Sequence, residues 1–433
     1  MQTLKLILPA AMALLAGCGA PETDIAATDH TQQLFVNAAI ITMDDETTVA
    51  DAIVISGNKI EALGNEQDLR ENFPNAKITD LDGQTVLPGI IDSHVHVREL
   101  GMDRIKANLV GVKTAEDITA RLKAHFPDPK PGVWLVGQGW DEGYFASVGN
   151  PDRASLDAAF PDNPVALEGL HGFGGFYNGA ALKIAGIDKD TPEPEVGDIL
   201  RRDNGEPTGV MLTLAQDLVN RHIPEPDQSQ MEEAIVAGLN EMSKAGVTSI
   251  HEAGMEPVDV AAFKALAARG DLPIRVYGLL DGNNNDLMSD WFSSGILDDP
   301  NDWLDIRGVK VFYDGSLGSR TALMKEPYSD KPDAARPTER ITPAAVTALG
   351  ENAAKHGFQM AVHAIGDEGN NRTLSIYETA LSPYPSQDHR WRIEHVQRVD
   401  PADMGLFAKG DIIASMQPVH QTSDRLMAQA RLG

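Results

Sequence analysis

The sequence predicts an α/β protein whose main domain is a barrel of parallel strands with helices outside, of the (β/α)8 type, with seven strands present. Three observations lead there. From Ile90 onward, seven short apolar runs follow one another, most separated by helix-like stretches. Residues that can bind metal or act as bases stand near the C-terminal ends of several runs, where barrel sites gather. These residues are spread over the strands; a doubly wound sheet, the other candidate, would collect them at one switch point.

The composition allows this. The chain has 433 residues, 42% of them hydrophobic, enough for one large domain plus a smaller one. The net charge of −28 argues against a nucleic-acid partner, since phosphate binding needs clustered Lys and Arg.

The chain begins with a targeting pattern. Lys5 precedes an apolar run, Leu6 to Leu15, that is too short to span a membrane. It ends in Leu15-Ala16-Gly17-Cys18, which resembles a bacterial lipobox, and Cys18 is the sole cysteine. The expectation is a lipoprotein signal over residues 1–18, lipidation of Cys18, and a polar tether over 19–31. That places the chain at the bacterial envelope, facing the periplasm. An ordinary secretory signal is the alternative.

Residues 32–88 read as a small β unit. Short strands are separated by turns at Asp44-Asp45-Glu46, Ser56-Gly57-Asn58 and Asp82-Gly83, the last a hairpin-type pair. Residues 89–433 form the barrel. Residues 97–125 are largely helix-like. A stretch rich in Gly, Pro and Asp, at about 126–225, reads as an insertion or lid without internal repeats. From about 227 the alternation is regular. The strand-like runs are GVTSIHEAG, PIRVYGLL, IRGVKVFYDG, FQMAVHAIGD, HRWRIEHVQ and DIIASMQP.

The chemistry starts at TVLPGIIDSHVH, residues 85–96. On a strand, residues i and i+2 share a face, so His94 and His96 project together, as two ligands of one metal would. Lys310 stands between Val309 and Val311, and a lysine in an apolar strand is costly unless paired or neutral. A neutral amine there can act as a base, form a Schiff base or take up CO2. His363 and His395 each close a strand-like run, and neutral imidazole is the commonest nitrogen ligand of metals.

These stretches together resemble the amidohydrolase superfamily, and within it the YtcJ-like branch, or amidohydrolase family 3. The matching segments are VLPGIIDSHVH (86–96), PVALEGLHGFGGFYNGAALKIAGI (164–187), GDILRRDNGEPTGV (197–210), VKVFYDGSLGSRTA (309–322), AVHAIGD (361–367), RIEHVQ (392–397) and SMQPVH (415–420). The resemblance implies a distorted barrel with a β-sandwich made from both ends of the chain, its N-terminal half being residues 32–88. It implies metal-dependent hydrolysis of a C–N bond in an amide, N-substituted amide or cyclic amide. Carried over by position, it implies that His94 and His96 bind one metal, that Lys310 bridges if carboxylated, and that His363 and His395 bind the second. Two Zn2+ are the expected ions, with Fe, Mn or Co as other fits. His171, Arg320, His420 and Trp140 are candidates to contact a small-molecule substrate. His251 reads as structural or as a substrate contact, Asp314 as part of a turn, and Asp367 as orienting His363 or capping the following helix.

One departure stands out. The resemblance implies an aspartate after an eighth strand, and no such run precedes Gly433. Ser423-Asp424 follows His420 by three residues and reads as a helix start. The expectation is a C-terminally truncated piece of a longer hydrolase. The alternative is a catalytically impaired fragment, or an envelope lipoprotein that binds metal or solute without turnover.

Overall fold

The structure is a computed structural model that describes residues 32–433, apart from 171, 173, 195, 334–335 and 386–387. Cys18 and His171 therefore lie outside the described residues. Among the described residues no helix is long and apolar enough to cross a membrane. The chain divides into two units, Met1–Pro88 and Gly89–Gly433.

The first unit holds seven short strands: β1 (Gln33–Val36), β2 (Ala39–Ile41), β3 (Val49–Ala50), β4 (Ala52–Ser56), β5 (Lys59–Gly64), β6 (Lys77–Asp80) and β7 (Thr85–Val86). They form a four-stranded sheet, β5-β4-β1-β6, and a three-stranded sheet, β3-β2-β7. Alternation in β4 feeds two cores. Ala52 and Val54 join Leu34, Val36 and Leu69, whereas Ile53 and Ile55 join Ile40 and Ala50. Asp82 and Gly83 both take positive φ, 53° and 72°, as a type I′ pair does. The pair does not close a hairpin, however. It carries the chain from β6 in one sheet to β7 in the other.

The second unit contains the barrel. Its strands are β8 (Ile90–Val95), then β15 (Val247–Met255), β16 (Arg275–Asp281), β17 (Leu304–Phe312), β18 (Gln359–Ala364), β19 (Arg392–His395) and β20 (Ile413–Ser415), separated by the insertion described below. They form one seven-stranded sheet in sequence order, and each neighbouring pair is parallel. Parallel strands need crossover connections, and helices supply most of them. Val309, Val311, Met360, Val362 and Ile393 face that helical layer and make the main core with Ile235, Phe263, Val346 and Tyr377. The helices are cut by local signals. Asp227 and Gln230 form a capping box that opens Gln228–Lys244. Gly270 and Gly357 end their helices at φ 72° and 77°, a conformation that costs other residues more.

The insertion is ordered, where the sequence suggested an irregular lid. Strands β9 (Ala107–Asn108), β10 (Leu135–Trp140), β11 (Val165–Gly169), β12 (Gly174–Tyr177), β13 (Asp198–Arg201) and β14 (Pro207–Leu212) make a mixed six-stranded sheet. It starts at residue 107, earlier than the 126 expected, because β9 pairs in parallel with β10. Its core gathers Trp140, Phe145, Leu156, Phe176 and Val210.

Candidate metal centre

β8, β17, β18 and β19 bring His94, Lys310, His363 and His395 together inside the barrel, and His96, exposed one residue past the end of β8, stands beside them. The His94 and His96 rings lie 5.4 Å apart, His94 and His395 4.7 Å, and His363 and His395 4.5 Å between centroids. Lys310 is fully buried on the inner face of β17, with its Nζ 4.2 Å from the Phe312 ring centre. Val309 and Val311 face outward into the core, so strand alternation alone turns Lys310 inward.

The hydrogen bonds fix which ring nitrogens are free. His94 Nδ1 donates to Glu394 Oε2 at 2.5 Å, since a carboxylate only accepts. His363 Nε2 donates to the Gly315 carbonyl at 3.1 Å. His395 Nδ1 donates to Gln417 Oε1 at 2.7 Å. Each ring therefore keeps one lone pair: Nε2 of His94, Nδ1 of His363 and Nε2 of His395. His94 Nε2, His363 Nδ1 and Lys310 Nζ are all buried without a hydrogen-bond partner. Buried nitrogens normally find partners, so three orphans in one pocket fit a missing ligand. Their chemistry, imidazole lone pairs beside an amine, fits a divalent metal.

Burial disfavours the charged forms of His363, His395 and Lys310. Burial pushes the His363 imidazole down to about 4, against the pull of its bond to Gly315. Burial and the neighbouring His363 and His94 push His395 down to about 3. The Lys310 amine is lowered to about 8, chiefly by burial, with Glu394 opposing. A second group brings ligand atoms of His96, Glu99 and Glu252 within 4.8 Å of one another. Burial pushes the Glu252 carboxyl up to about 8, and its Oε2 already accepts from the Val97 N–H at 2.7 Å. A neutral acid is a poor cation ligand, so the trio is the weaker candidate.

The loops behind the site are tied by Asp314. Its carboxylate is fully buried and accepts from the N–H groups of Leu323, Ile365 and Gly366 at 2.9–3.0 Å. It thus joins the loop after β17 to the loop after β18, although burial raises its pKa to about 6. His395 and Val396 take φ of 75° and 45° in succession. A β-branched residue in that region is strained, and such strain collects at functional sites.

The other expected contacts divide. His420 lies 5.9 Å from His395, ring to ring. Arg320 makes a two-pronged pair with Asp330, at 3.1 and 2.8 Å, which occupies the guanidinium. Trp140 is corrected from pocket lining to core: it is fully buried and its Nε1 donates to the Leu167 carbonyl. An indole with no exposed surface offers a substrate nothing to touch. His251 lies inside the barrel and accepts at Nδ1 from Arg392 Nη1 at 2.8 Å, away from the four-histidine cluster's free lone pairs.

Glu394, Arg392 and Ser415 were not singled out by sequence. The signal was present in Arg392-Ile393-Glu394, where two opposite charges stand at i and i+2 in a strand.

Known proteins bear on this geometry. A solved structure, an uncharacterized metal-dependent hydrolase from Pyrococcus furiosus, superposes with a TM-score of 0.76 at 26% identity, covering 93% of this chain and 80% of that one. Protein LONG AFTER FAR-RED 3 of Arabidopsis thaliana is 31% identical over 419 residues, 92% of this chain and 70% of that protein. The N-substituted formamide deformylase of Arthrobacter pascens is 28% identical over 410 residues, 88% of this chain and 72% of that protein. A family model matches residues 77–433, from the last strands of the first unit through β20 and beyond, and by that match the chain belongs to the amidohydrolase family.

Proposed function

We propose that the chain hydrolyses N-substituted amides, formamides or cyclic amides at a two-zinc centre held by His94, His96, Lys310, His363 and His395. The broader statement, a metal-dependent hydrolase of C–N bonds in small molecules, follows from the family. The observation that carries the proposal is the convergence of three unpartnered buried nitrogens, on His94, Lys310 and His363. When bound, a divalent metal supplies Lewis acidity, polarising a carbonyl and lowering the pKa of water from about 15.7 towards about 7.

The chain's own residues do the rest. His94, His363 and His395 present fixed lone pairs, because their other nitrogens are held by Glu394, Gly315 and Gln417. Burial brings the Lys310 amine down to about 8, so more of it is neutral than in a free lysine, and that neutral fraction is suited to react with CO2, forming a carbamate and releasing one proton. The carbamate would offer two oxygens where the amine offers one nitrogen. The ring of His420, 5.9 Å from that of His395, supports reading it as a substrate contact.

The substrate class is taken from the formamide-cleaving relative and tested on N-substituted formamides. Metal analysis of the purified chain is expected to find two ions, and hydrolysis is expected to vanish with chelator and return with zinc. A chain that binds no divalent metal sinks the reading. We also propose an envelope lipoprotein anchored through Cys18. Incorporation of labelled fatty acid, lost in Cys18→Ser, is its test.

A further inference from the structure

We infer that Glu394 is the positioning residue of the centre: its carboxylate selects the tautomer and direction of His94 by spanning the two ends of the barrel sheet. The inference rests on the metal reading above.

The geometry is specific. Strands β8 and β20 are the two ends of the seven-stranded sheet, and β19 is next to β20. No backbone ladder joins β8 to β19. Glu394 reaches across instead, and its Oε2 accepts from His94 Nδ1 of β8 at 2.5 Å and from Ser415 Oγ of β20 at 2.8 Å. Its Oε1 faces Arg392 Nε at 2.5 Å. The carboxylate is fully buried, so water does not compete for it.

Three consequences follow. A carboxylate only accepts, so His94 must carry its proton on Nδ1. The Nε2 lone pair then points into the cluster, where it is found unpartnered. The opposite tautomer would aim an N–H at the same space and could not ligate. Arg392 supports this from behind, since its Nη1 also donates to His251 Nδ1 at 2.8 Å and so fixes the guanidinium. Carboxylates that hold a ligand histidine in this way commonly tune metal affinity.

The experiment uses the full chain stripped of metal, then offered zinc against a chromophoric chelator, and separately Co2+ read by its visible spectrum. Glu394→Gln keeps the shape but puts an amide N–H against one partner. We expect one binding event to weaken roughly 10–100-fold and its Co2+ bands to shift, while the other event is unchanged. Ser415→Ala removes a single bond to the same oxygen, keeps the buried charges paired, and should weaken the same event less. Equal weakening of both events in step with a lower Tm would make Glu394 merely structural and overturn the inference, as would wild-type affinity in both variants. A wild-type chain that takes up no metal removes the metal reading itself, and the inference with it.

Discussion

Within the inserted sheet, Trp140 packs against Phe145 and Phe176 at centroid distances of 5.8 and 6.1 Å. Inside the barrel the residues buried to the same degree are Lys310, Arg392 and Glu394. Both regions exclude water, yet the consequences differ. Burying aromatic surface stabilises the fold, at roughly 25 cal/mol per Å2. Burying ions costs several kcal/mol each, and pairing recovers that only with good geometry. The inserted sheet is built for stability, whereas the barrel interior gives up stability to hold reactive groups in place.

Substitutions can break that contrast, and the largest effect should come from the barrel. Lys310→Met replaces a costly buried amine with an apolar chain of similar length. It should cut hydrolysis by about a thousandfold or more, since metals supply several kcal/mol to a transition state and each ~1.4 kcal/mol is tenfold. Its Tm should hold or rise. A large fall in Tm with activity retained would reverse the comparison. Trp140→Ala should do the opposite, lowering stability by about 3–5 kcal/mol in denaturant titration with metal content unchanged.

A third change sharpens the argument through pH. Glu252 is fully buried against the Val97 N–H, and its carboxyl is raised from 4.5 to about 8. Between those values the folded state keeps a proton that the unfolded chain has lost. Stability from this group is therefore full below about 4.5 and is lost as pH rises towards 8. Metal-free Glu252→Gln should lack that decline. Against wild type it should gain on the order of 3 kcal/mol between pH 5 and pH 8. Parallel Tm curves for the two proteins would refute the assignment. The smallest effect belongs to the rim of the inserted sheet. Arg202 pairs with Asp152 through two bonds of 2.6 Å, but both side chains are partly exposed. Arg202→Ala should cost about 0–1 kcal/mol, and less in high salt.

The same contrast explains what could be read in advance. The barrel strands were legible because buried parallel strands are apolar runs, and β17 or β18 looks like little else. His94, His96, Lys310, His363 and His395 could be singled out because polar groups stand out in or beside such runs, and the structure brings their side chains near one another. The inserted sheet was not. Its β12 begins with Gly174-Gly175, and glycine in a strand reads as a loop. Trp140 stood in sequence as a candidate substrate contact beside a core or lid-packing reading, and only the neighbours that fill in around it decide for the core. Glu394 was missed for a different reason. The pattern Arg-Ile-Glu-His shows alternation but not which face looks inward, and its partners His94 and Ser415 are remote in sequence.

The terminal strands of the barrel sheet carry a colloidal consequence. Ile90, Ile91, Ile413 and Met416, on or beside β8 and β20, are each between 45% and 62% exposed. Such rims attract further strands, and proteins usually blunt them with charge. Here the charge is spread over the whole chain, at −28 net. Its reach is about 30 Å in 0.01 M salt and about 3 Å in 1 M, so at pH 7 added salt shortens the distance at which two copies repel before their rims meet. The chain's acidity thus acts as a dispersant, and salt weakens it.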